Sequence, residues 1–186
     1  KIMKVLLENW RLYESQVLTE RLFLEEIDLF TEELSQLEEA KVLDAFKDRS
    51  KKLFAKYSQA KKAAIEPLLK KGIKQLRKLA ATKMPTEWSE CAKLGFSGKY
   101  SCRKRLMKFI ERLERPENLA VGVALVSLLI SALVGNYFEA VATLLGAFGV
   151  SGSIIQAYEV VSGIKDFKEI SSQVKKVSLG DEEENT

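Results

Sequence analysis

Between Leu119 and Tyr158 the chain carries one charged residue, Glu139, in forty. On either side Lys, Arg, Asp and Glu are dense. Residues 119–138 are uncharged for 20 positions and residues 140–158 for another 19. At about 1.5 Å per residue, each run as a helix covers roughly the ~30 Å hydrocarbon core of a bilayer. Such a segment belongs in a membrane or at the centre of a helical protein. Gly135-Asn136 is its best turn, so residues 117–163 are expected to form an apolar helical hairpin. Leu125, Leu128, Leu129, Ile130 and Leu133 fill the first arm, and Leu144, Leu145 and Ile154 the second. A single pair of helices cannot cover all of these faces. Lipid, the rest of the chain or other subunits must complete the burial. Two observations fit a membrane. Ser127, Ser131 and Gly135, and again Gly149, Ser153 and Ala157, recur at the four-residue spacing that lets helix backbones approach. The flanks, 103–115 and 165–176, carry basic residues on both sides, as in a hairpin with both ends in the cytoplasm.

The rest of the chain predicts an all-α fold. Leu, Ala, Glu and Lys dominate, and only three Pro and ten Gly interrupt 186 residues. The N-terminus runs straight into an amphipathic segment, so a secretory signal is not expected. Phe23, Ile27, Phe30, Leu34 and Leu37 recur at steps of three and four, which places them on one helix face with most of the neighbouring Glu outside it. Leu6, Trp10, Tyr13 and Val17 form a similar stripe upstream, and a break between the two stripes is expected near residues 14–19. Leu43, Phe46, Ser50, Leu53, Phe54 and Tyr57 line a second helical segment over about 43–81. Pro67 is expected to kink that helix or start a new one. A short helix over 86–94 should stop at Gly95. A basic helix follows over about 100–113, with Leu106, Phe109, Ile110 and Leu113 on its apolar face. Ile164, Phe167, Ile170 and Val174 predict a last amphipathic helix over 164–177, ahead of a short acidic tail. The whole reads as a charged helical region (1–116), the apolar hairpin (117–163), and a terminal helix with its tail (164–186).

Charge is distributed in blocks. Residues 1–40 carry ten acids and four bases, a balance of −6. Residues 41–116 carry 22 bases and seven acids, a balance of +15. Residues 117–186 return to −5, with nine acids and four bases. The middle block has three candidate partners: nucleic acid through its phosphates, an anionic membrane surface, and an acidic segment of this chain or a neighbouring subunit. A solvated helix face is the plain alternative. The residues that would make the contact are Lys70, Lys71, Lys74, Arg77, Lys78, Arg103, Lys104, Arg105 and Lys108. Aromatics are sparse among them, so a groove that stacks single-stranded bases is not expected.

No motif names a reaction. The chain has no His, and therefore none of the usual Ser-His or Cys-His arrangements and none of the commonest metal ligand. It has no phosphate-binding Gly loop and no zinc spacing. A non-enzyme without cofactor or metal is expected. Cys91 and Cys102 read as two free thiols in a reducing compartment, with a bridge between them as the alternative.

The opening Met3-Lys4-Val5-Leu6-Leu7-Glu8-Asn9-Trp10-Arg11 resembles the start of many small proteins of tailed bacteriophages, marine ones especially. Several of those look like virion or internal head components. The resemblance implies a capsid-targeting segment and a maturation protease that cuts after Leu-x-Glu. Leu6-Leu7-Glu8, Leu12-Tyr13-Glu14 and Leu18-Thr19-Glu20 fit that pattern. The leading expectation is a structural or internal, ejected virion protein that packs with other virion proteins or copies of itself and meets the host membrane during infection. A holin-like or pore-forming membrane protein is the alternative, and a basic helical module that binds nucleic acid is the third.

Overall fold

The computed structural model describes residues 1–60, 62–97 and 101–163, apart from the side chains at 9, 11–19, 39 and 40. Among the described residues there are eight α-helices and no strand. They are α1 (Ile2–Ser35), α2 (Glu39–Ser58), α3 (Lys62–Lys83), α4 (Trp88–Lys93), α5 (Cys102–Leu113), α6 (Leu119–Val134), α7 (Phe138–Ser151) and α8 (Ile154–Ser162). The expected terminal helix and acidic tail lie outside the described residues.

The apolar block supplies the centre. Every residue of α6 from Ala120 to Leu133 is buried. A helix apolar on all sides has no face to offer water, and here it has helices on several sides. Its main partners are α3 and α2, with α1, α7 and α8 completing the shell. Leu125, Leu128, Leu129, Ile130, Leu133, Leu144, Leu145 and Ile154 are all buried in this core. These eight side chains are therefore covered by the rest of the chain, while Val134 and Val150 of the same block stay exposed. No described helix is long and apolar enough to cross a membrane. With 16 residues, α6 is about 24 Å long, short of a ~30 Å core.

The block also differs in plan from a two-arm hairpin. The turn falls at Gly135-Asn136 as expected, with Asn136 in the left-handed region at φ 60°. The second arm is then cut in two. Gly152 takes φ 67°, which ends α7, and Ser153 caps α8 by accepting from the Gln156 N–H. The α7 and α8 helices pack mainly on each other, whereas α6 leans on α3 and α2.

Around this centre the amphipathic faces sit as their spacing requires. Phe23, Ile27, Phe30 and Leu34 of α1 are buried, as are Phe46, Leu53, Phe54 and Tyr57 of α2. The α3 and α6 helices cross where Gly72 meets Val126. A Cβ placed on Gly72 would lie 2.5 Å from Val126 Cγ1. Leu106, Phe109, Ile110 and Leu113 of α5 are fully buried.

Three expectations change. α1 is continuous through residues 14–19. α3 runs through Pro67, and α2 ends upstream at Ser58, with residues 59 and 60 outside either helix. Pro67 is the sixth residue of its helix, so the one lost backbone bond lies near the end. Buried Ile65, Leu68 and Leu69 hold the turns on either side of it. Cys91 and Cys102 are not free thiols but form a disulfide, with Cα atoms 5.7 Å apart. It closes α4 onto the start of α5.

Two polar ties fix elements distant in sequence. Glu117, in the α5–α6 linker, accepts from the Ser153 hydroxyl (3.1 Å) and the Ile154 N–H (3.3 Å) at the α8 N-terminus. A carboxylate there complements the positive end of the helix. The Tyr158 hydroxyl donates to the Ser50 carbonyl (2.9 Å), joining α8 to α2 inside the core. Burial pushes the Tyr158 phenol well above its ordinary range. The Tyr57 phenol is raised too, first by burial and then by the Glu26 carboxylate beside it.

Candidate functional site

The basic residues divide into three groups once the helices are packed. The first group faces a cleft. Lys62, Lys70, Lys74 and Arg77 of α3 form one wall, and Arg115 and Pro116 at the α5–α6 corner face them. Leu69, Ile73 and Leu119 supply apolar lining. The cleft has a volume of about 730 Å³. Lys70, Lys74 and Arg77 follow one another at i, i+4 and i+7, so they stand along one side of α3. Lys62 pairs with Glu66 at 3.5 Å, and Arg77 pairs with Glu114 across the cleft. Lys70, Lys74 and Arg115 have no acidic partner among the described residues. The cleft thus offers three unneutralised cations around an apolar floor, an arrangement that attracts anions.

The second group serves the fold. Arg103 donates from Nε to the Met84 carbonyl and from its guanidinium to the Ala81 carbonyl, both at 2.7 Å. Those are carbonyls at the end of α3, where helical partners run out. Arg105 donates to the Ser97 carbonyl at 2.5 Å. Lys71 pairs with Glu20 of α1 at 2.7 Å. The third group, Lys78, Lys104 and Lys108, is exposed on other parts of α3 and α5. The nine expected contact residues therefore do not form one surface. Only Lys70, Lys74 and Arg77 converge. Arg115, Pro116 and Leu119 were not among the expected contact residues. The only signal for them in the sequence is the Arg-Pro pair that opens the corner between two helices.

A second exposed feature lies at the start of α1. Ile2, Met3, Val5, Leu6, Leu7 and Trp10 are between 55% and 78% exposed. Leu6 and Trp10, which share an apolar stripe by their spacing, are thus not on a buried face. Among the described side chains of α1, Phe23 is the first that is buried. The N-terminal end of this 34-residue helix, about 51 Å long, therefore presents a run of large apolar side chains to water.

Among the described residues no three His, Cys, Asp or Glu side chains gather as metal ligands. No protein-family model matches this chain, and no curated protein or solved structure does either.

Proposed function

We propose that this chain is a non-enzymatic virion protein of a tailed bacteriophage, structural or internal, that assembles with other virion proteins or with further copies of itself. One observation carries the reading. The segment whose sequence resembles phage openings is also the one whose apolar side chains face water. Covering a Leu-sized side chain is favourable by about 1.5–3 kcal/mol. Several such residues on one exposed helix end mark an interaction surface. The test uses the full chain, tagged and supplied in trans during infection by the encoding phage. The unaltered chain is expected in purified particles, and Leu6→Glu with Leu7→Glu to lower its incorporation at least about tenfold, the equivalent of ~1.4 kcal/mol. Equal incorporation of both chains, or absence of the unaltered chain from particles, defeats the reading.

The cleft favours a second activity within the same setting, contact with nucleic-acid phosphates. Lys70, Lys74 and Arg115 are the cations to make it. Binding to duplex DNA should weaken steeply with salt, because each neutralised phosphate releases counterions. Reversing Lys70 and Lys74 to Glu should flatten the salt dependence by about one unit of log–log slope per residue. Reversing Lys78, outside the cleft, serves as the control. Equal effects at both places mean that only net charge matters and that the cleft has no special part.

A further inference from the structure

α4 is the most lightly packed helix of the fold. It has six residues, Trp88–Lys93, and a helix that short does not hold itself together in water. It lies along none of the other described helices. Cys91 is its only buried residue. Just past its end, Leu94 and Phe96 add an apolar contact with the core. The bond from Cys91 to Cys102 joins this helix to α5, whose apolar face is fully committed to the core.

The bond is also placed to react. Cys102 is the first residue of α5, and its N–H donates to Cys91 Sγ at 3.0 Å. That amide belongs to the open end of a 12-residue helix, where N–H groups lack helical partners and the dipole favours negative charge. Arg103, Lys104 and Arg105 follow directly. A thiolate released at Cys91 is stabilised there, so a thiol that attacks Cys102 Sγ has a good leaving group. Both half-cystines are at most 1% exposed, so attack waits for α4 to open.

We infer that the Cys91–Cys102 pair is a redox latch on α4, opened by a dithiol reductant and closed by a disulfide oxidant. In the opening direction one reductant thiolate attacks Cys102 Sγ, the bond between the two cysteines breaks, and Cys91 leaves as thiolate. The second reductant thiol then attacks the reductant's own sulfur in the mixed disulfide. Cys102 leaves, and the reductant closes into a disulfide. Two electrons and two protons pass to the pair. Without the bond α4 has too little packing to stay folded. Buried Met84, whose cavity Glu90, Lys93 and Leu94 help to line, is then uncovered. The latch stands independently of the virion reading.

The test compares the full chain in three states: oxidised, reduced with dithiothreitol, and re-oxidised with oxidised glutathione. Amide exchange at residues 88–96 should be at least about tenfold faster in the reduced state and return on re-oxidation, while exchange in α6 stays unchanged. Trypsin should cut after the exposed Lys93 at least about tenfold faster in the reduced chain, because cleavage follows the open population. Cys91→Ser with Cys102→Ser should behave as a permanently reduced chain. Unchanged exchange at 88–96 on reduction overturns the latch. So does equal acceleration in α6, which makes the bond a staple of the whole fold, and so does failure of the bond to form in oxidised glutathione.

Discussion

Ile130→Arg should leave no cooperatively folded protein at 25 °C. Ile130 sits in the middle of α6, fully buried, with neighbouring helices packed around it. An arginine there meets no carboxylate, because among the described residues the core around α6 is apolar. An uncompensated buried charge costs about 3–5 kcal/mol, and the lost packing of the isoleucine adds to it. A domain has only about 5–15 kcal/mol to lose. Circular dichroism and urea titration should show a broad or absent transition. Ile130→Leu keeps the volume and should cost under about 1.5 kcal/mol. If the arginine variant melts like the original, α6 is not the centre of this protein.

Gly72→Val carries the second large effect. The α3–α6 crossing is close because Gly72 has no side chain, and any Cβ there would strike Val126. Alanine gains up to about 1 kcal/mol of helix propensity over glycine, which partly offsets the collision. Valine adds two more methyl groups against the same neighbour and should destabilise by about 3 kcal/mol. For a chain of this size that corresponds to roughly 6–12 °C in the melting temperature. The collision predicts a specific coupling. Val126→Ala leaves space that the methyl introduced by Gly72→Ala can fill, so the pair should be less harmful than the sum of its single changes. Strict additivity of Gly72→Ala and Val126→Ala is the result that rejects this crossing.

The sequence showed those parts of the fold that have a period. The Phe23–Leu34 stripe and the Leu106–Leu113 stripe each declare a buried face, and both are buried. Turn chemistry was equally readable at Gly95, Gly135-Asn136 and Gly163, where left-handed or tight backbone is needed. The role of α6 was not readable. A helix that is apolar all round has no preferred direction, so protein and lipid look alike to it. The break at Gly152 was hidden because small residues there resembled a close-packing motif. The disulfide was hidden because it depends on how α4 meets α5, not on cysteine count.

The candidate site was legible as charge and illegible as shape. A run of basic residues gives no indication of which of them face backbone carbonyls. Arg103 and Arg105 do so, and Lys71 is held by Glu20. The cleft itself exists only because residues 114–119 turn a corner opposite α3.

The place of α6 in the chain also sets an order of events. The ribosome makes α1, α2 and α3 first, and the helix they all pack against begins at Leu119. At about 5–20 residues per second, Phe30 waits roughly 5–20 s for α6 to emerge. Throughout that interval α1, α2 and α3 can cover only part of one another, as where Phe30 meets Phe46, and the faces they turn to α6 stay bare. A nascent chain of this kind is most exposed to aggregation and to chaperones just before its central helix arrives, because its core cannot be completed until then.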